Sequence, residues 1–148
     1  MNLKIILLSF GFLLISNIGF SQKKDEAQSI IKEGVAIKKY HNIDDLERMP
    51  KGQLLVLYEE RIESLIRILP YIAFATKPGV TMSTLGIPND KDNRKALEGQ
   101  FEATDDYLKN TIDFQKMILP YSDTSKLIAA ILFYEDTLKS LHEYAEFH

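Results

Sequence analysis

Residues 55–74 read LVLYEERIESLIRILPYIAF, and their spacing decides the fold class. Leu55, Tyr58, Ile62, Leu65, Leu69 and Ile72 recur in steps of three and four, the period of one helix face. Ile66 and Ala73 widen that stripe, while Glu59, Glu60, Glu63 and Arg67 lie off it. Glu63 precedes Arg67 by one turn, the favourable order for an intrahelical ion pair. Pro50 suits a first turn. Pro70 removes a helix hydrogen bond, so the helix is expected to end near Leu69 or to kink there and run on through Phe74.

The same periodicity recurs towards the C-terminus. Residues 90–119 predict a long helix with Leu97, Phe101, Thr104, Leu108, Ile112, Gln115 and Leu119 on one face. Asn89 is available as its cap, Asp90 and Asp92 suit the positive end of the helix dipole, and Pro120 stops it. After Ser122-Asp123, a third helix carries Leu127, Ile131, Tyr134, Leu138, Leu141 and Ala145. Residues 24–40 can place Ala27, Ile30, Gly34, Ile37 and His41 along a helix, although Gly34 costs about 1 kcal/mol relative to Ala. Asn42 and Asp44 read as caps of a brief turn through Met49. The fold class is all-α, a small up-and-down bundle of about four helices.

Two of these helices finish with Ile-Leu-Pro-Tyr, fifty residues apart. A duplicated hairpin or a shared way of ending a helix would each produce that echo.

The chain has 148 residues, 26% of them charged, a formal charge of −3 and no cysteine. A disulfide framework, a thiolate zinc site and a cysteine nucleophile are therefore excluded. The mildly acidic balance argues against nucleic acid as a partner. Lys4 followed by IILLSFGFLLI (residues 5–15) and Gly19-Phe20-Ser21 reads as an export signal with cleavage after Ser21. The competing reading is an uncleaved anchor. It is weakened by Ser9, Gly11, Ser16, Asn17 and Gly19, and by Lys23-Lys24 directly behind the run. The expected organisation is a signal peptide over 1–21 and a single helical-bundle domain over 22–148, without a further transmembrane segment. The expected location is the periplasm or the cell exterior.

Residues 76–89 (TKPGVTMSTLGIPN) join two helices by a connection longer than bundles normally use. Val80, Met82, Leu85 and Ile87 make it apolar, and Pro78-Gly79 and Gly86-Ile87-Pro88 stiffen it. Such a loop either packs down as a lid or offers a surface to a protein partner. Val80, Met82, Leu85 and Ile87 are accordingly the candidate partner-binding residues.

No catalytic constellation emerges, and no cofactor or metal is expected. The chain has neither a phosphate-cradling glycine loop nor a Gly-x-Ser-x-Gly elbow. His142-Glu143-Tyr144-Ala145-Glu146 resembles the zincin His-Glu-x-x-His segment over five residues only, with Glu146 where the second histidine would stand. His41 reads as a cation near a helix end. Glu98, Glu102, Asp105, Asp106, Glu135 and Asp136 are expected mostly on a solvated acidic face. By exclusion, the sequence points to an exported, non-enzymatic protein that binds another envelope or secreted protein. A carrier of a small apolar ligand with residues 76–89 as lid is the alternative, and a metal-dependent enzyme a distant third.

The signal reading predicts that protein recovered from its host has the intact mass of a chain beginning at Gln22. A mass that retains residues 1–21 contradicts it.

Overall fold

The computed structural model describes residues 27–35 and 37–146; the export signal expected over 1–21 lies outside them. Among these residues there are four α-helices, in order α1 (Ile43–Glu47), α2 (Lys51–Ile68), α3 (Lys91–Ile118) and α4 (Thr124–Glu146). Among the described residues there is no strand, only an isolated bridge between Ser29 and Thr81. No helix among them is long and apolar enough to cross a membrane.

Two apolar clusters show how the helices run. Leu65 and Ile68 from the end of α2 meet Leu97 and Phe101 from the start of α3 and Leu138 from late α4. At the opposite end, Leu54 and Leu57 from early α2 meet Leu127, Ile128 and Ile131 from early α4, with Leu119 packed alongside. The long helices therefore alternate in direction. Leu46 of α1 is fully buried in the second cluster, which fastens this short helix to the bundle.

The helix ends follow local chemistry. The Asn42 side chain accepts from the Asp45 amide and Asp90 accepts from the Asn93 amide, so the cap of α3 is Asp90, one residue beyond the expected Asn89. At Pro70 and Pro120 the chain tightens into short 3₁₀ turns, Leu69–Tyr71 and Leu119–Tyr121, because the proline nitrogen cannot donate to the preceding turn. The Lys51 ammonium donates to the Pro120 and Ser122 carbonyls at 2.7 and 2.6 Å, satisfying oxygens that the ending helix leaves open.

The helix expected over residues 24–40 is not formed in its described part. Residues 27–35 and 37–40 are irregular and cross the bundle as a strap. Gly34 takes φ +85°, a conformation that breaks any helix there. The strap finds its partners elsewhere. The Ile30 amide donates to Val80 O at 2.9 Å, and the Gly79 amide donates to Ser29 Oγ at 3.0 Å, so strap and loop are stitched together. Ile30, Ile31 and Val35 then fill the upper cluster. At the strap's middle, the Lys32 ammonium lies 2.9 Å from Asp105 and 4.8 Å from the centre of the Phe101 ring.

The buried seam of α2 also departs from the expected one. Leu54, Leu57, Arg61, Leu65 and Ile68 are buried, whereas Leu69 and Ile72 are exposed. A charged residue occupies the middle of the core-facing row. Following apolar residues alone steps past it to Tyr58 and Ile62.

Ile31 is fully buried beneath the strap, so Ile31→Ala should cost about 2–5 kcal/mol of unfolding free energy. Phe133→Ala, at a side chain 65% exposed, should lie within about 0.5 kcal/mol of wild type. Urea denaturation reads both, and equal losses would contradict this placement of the core.

Candidate functional site

Between the two apolar clusters lies a buried polar layer. Arg61 occupies the α2 seam between Leu57 and Leu65, and Glu135 occupies the α4 seam between Ile131 and Leu138. Glu135 is fully buried and Arg61 is 5% exposed, so the expectation that Glu135 belongs to a solvated acidic face is overturned. A carboxylate is stable there because its oxygens are occupied. Arg61 Nε donates to Glu135 Oε1 at 2.8 Å, and the His41 backbone amide donates to Oε2. His41 Nδ1 stands 2.9 Å from Oε1.

An ionised carboxylate only accepts, so Nδ1 carries the proton in that contact and Nε2 is the other, free nitrogen. Arg61 Nη2 donates to the Lys39 carbonyl at 2.7 Å, tying the guanidinium to the strap as well as to α4. His41 thus does not stand at an exposed helix end. Its ring is 8% exposed and closes the polar layer where the strap gives way to α1.

Burial pushes the Glu135 carboxyl up, but hydrogen bonds from the His41 ring, the His41 amide and Arg61 together hold it below its ordinary 4.5. Asp105 is lowered from 3.8 by hydrogen bonds from Lys32 and Arg67. Arg67 also receives the intrahelical contact anticipated from Glu63, at 3.0 Å. Beside this layer, the Tyr58 and Tyr134 hydroxyls stand 3.3 Å apart, and burial with the Tyr58 hydrogen bond pushes the Tyr134 phenol up to about 12.

A cavity of about 660 Å³ opens between the strap and α2, with His41 and Arg61 on its wall. Its lining is charged, with Lys32, Lys39 and Arg67 set against Glu33, Glu63 and Asp105. A pocket for an apolar ligand is lined mainly by hydrophobic side chains, so this cavity does not favour the carrier reading. A second hollow of about 340 Å³ also reaches His41, alongside Met49, Val56 and Glu60. His41 Nε2 makes no hydrogen bond to a described residue. Among the described residues, no three metal-ligating side chains come together. Of the sequence pair His142 and Glu146, the Glu146 side chain lies outside those described.

Val80, Met82 and Leu85 pack against the upper apolar cluster, and Ile87 is exposed. The loop is held in a fixed shape: the Ile87 amide donates to Met82 O at 2.9 Å, and Gly86 closes a short 3₁₀ turn at φ +76°. Two further apolar surfaces lie outside the loop. One comprises Leu69, Ile72 and Phe74 beyond the end of α2. The other is a row along α3 formed by Tyr107, Phe114, Ile118 and Tyr121, with Met117 beside it.

No family model matches the chain, and neither curated proteins nor solved structures gave a match.

Removing one partner from a buried ion pair leaves the other uncompensated, so Glu135→Gln should cost about 3–5 kcal/mol. Glu135 and Asp105 both sit below their unfolded-state values. Their contribution to stability is complete above about pH 4.5 and is lost as pH falls through the lower folded-state values. Tm measured from pH 6 down to pH 3 should therefore fall more steeply for wild type than for Glu135→Gln. Parallel curves would contradict the assignment.

Proposed function

We propose that the protein is an exported, non-enzymatic helical protein that binds another envelope or secreted protein, with its docking surface at Leu69, Ile72 and Phe74. Export rests on the signal-like residues 1–21. The polar layer acts as a latch: every hydrogen-bonding group of Glu135 and most of those of Arg61 are engaged within the protein, which suits holding the strap rather than turning over a substrate.

One observation carries the docking reading. Phe74 is 58% exposed although the backbone on both sides of it is fixed. Tyr71 packs against the upper cluster and Ala75 is buried in it, while the Phe74 and Ala75 amides donate to Tyr71 O at 2.8 and 2.9 Å. An apolar ring held out to solvent by an anchored backbone has little ordering entropy left to lose, the property that favours interface anchors. Ile72 and Leu69 extend the apolar surface along the same turn.

A photo-crosslinking amino acid at position 74 or 72, introduced in the native host, should give one discrete heavier adduct containing a second protein. The same probe at Glu98, exposed on α3, should not. No adduct at 72 and 74, or an identical adduct at 98, overturns the assignment.

A further inference from the structure

Two hollows meet beside the polar layer. The cavity of about 660 Å³ between the strap and α2 shares His41, Leu57 and Glu60 with the neighbouring hollow of about 340 Å³. The larger volume lies in the range of small-molecule sites. On its wall, two side chains more than nine-tenths buried hold atoms in reserve: Arg61, 6% exposed, and His41, 8% exposed. Arg61 uses Nε on Glu135 and Nη2 on the Lys39 carbonyl, but Nη1 has only a 3.4 Å contact with Glu60, whose own side chain is 61% exposed. His41 spends Nδ1 on Glu135, while Nε2 meets no described residue. Polar atoms of buried side chains are normally partnered, so these two mark a place where a ligand completes the set.

The charges around them fall into two groups. Lys32, Arg67, Glu63 and Asp105 pair with one another where the cavity reaches α3. Lys38, Lys39 and Glu33 line the same cavity, and their charged groups pair with no described residue. The cavity therefore keeps unspent charge of both signs. Lys38, Lys39 and the Nη1 edge of Arg61 suit a carboxylate, and Glu33 and Glu60 suit an ammonium. An ion of one sign leaves the other group unanswered, whereas a zwitterion answers both. The adjoining hollow adds apolar surface from Met49, Val56 and Leu57, which suits an uncharged side chain on the same ligand. The described lining of the two hollows contains no Phe, Tyr or Trp on which a nucleobase would stack.

We infer that the strap and α2 enclose a binding site for a short peptide with free termini and an apolar side chain. The strap supplies Lys38, Lys39 and His41 and α2 supplies Glu60 and Arg61, so the contacts that latch the bundle also shape the site. The site shares no residue with the surface at Leu69, Ile72 and Phe74, and the inference stands whether or not that surface binds a protein.

Amide chemical-shift mapping of the isotope-labelled protein against a pool of Xaa-Leu dipeptides with free termini tests it. Shifts are expected at residues 38–41 and 57–64, saturating at millimolar peptide. The same pool acetylated at the N-terminus and amidated at the C-terminus should bind about tenfold more weakly or worse. Lys38→Glu/Lys39→Glu, at exposed strap positions, should weaken binding of the free dipeptides to a similar extent. Ser64→Phe places a ring in the cavity from α2 and should abolish the shifts while circular dichroism keeps its helical signal. Should that variant lose helicity, the lysine variant carries the test alone. No shifts at millimolar peptide, shifts confined to other parts of the molecule, or capped peptides that bind as well as free ones would each overturn the inference.

Discussion

The buried pairing of Glu135 with Arg61 and His41 is the constraint on which the rest of the architecture depends. It joins α2 to α4 at mid-height and reaches the strap through the His41 amide and the Lys39 carbonyl. Apolar packing alone would not fix these elements so specifically. Leucine and isoleucine rows can slide by a turn at modest cost, whereas a displaced carboxylate would leave three donors in a buried layer without their acceptor. The layer therefore sets the relative height of the helices, and the oily clusters above and below supply most of the burial.

From that registration the exposed surfaces follow. With the strap held across α2 and stitched to residues 79–81, Val80, Met82 and Leu85 of the 76–89 loop turn inward, so most of the loop's apolar surface is spent on closing the bundle end. The turn beyond α2 keeps Tyr71 and Ala75 inside and leaves Ile72 and Phe74 out. On α3, Leu97, Phe101 and Leu108 are buried, but no residue from 109 to 118 is, which frees the row from Tyr107 to Tyr121.

Periodicity made the long helices readable, and the prolines placed their ends to within a residue or two. The α4 seam was legible as well, since Leu127, Ile131 and Leu138 are buried as their spacing implies. The strap was not, because Ile30 and Gly34 fit a helical row, and nothing local reveals that the Ile30 amide is needed by Val80. The polar layer left a signal that apolar spacing overlooks. Arg61 falls four residues after Leu57 and four before Leu65, and Glu135 falls four after Ile131 and three before Leu138. Opposite charges on the core rows of two helices announce a buried pair. His41 gave no comparable signal, because its role depends on a contact across 94 positions of chain.

Amide hydrogen exchange at His41 tests the central claim most directly. That amide lies in an irregular segment outside any helix, and its partner is Glu135 Oε2. The account predicts exchange slowed to the level of the core amides of α2 and α4, with protection lost in Glu135→Gln while those core amides stay protected in conditions that keep the variant folded. Exchange of the His41 amide at the rate of an unstructured peptide in the wild-type protein would contradict it.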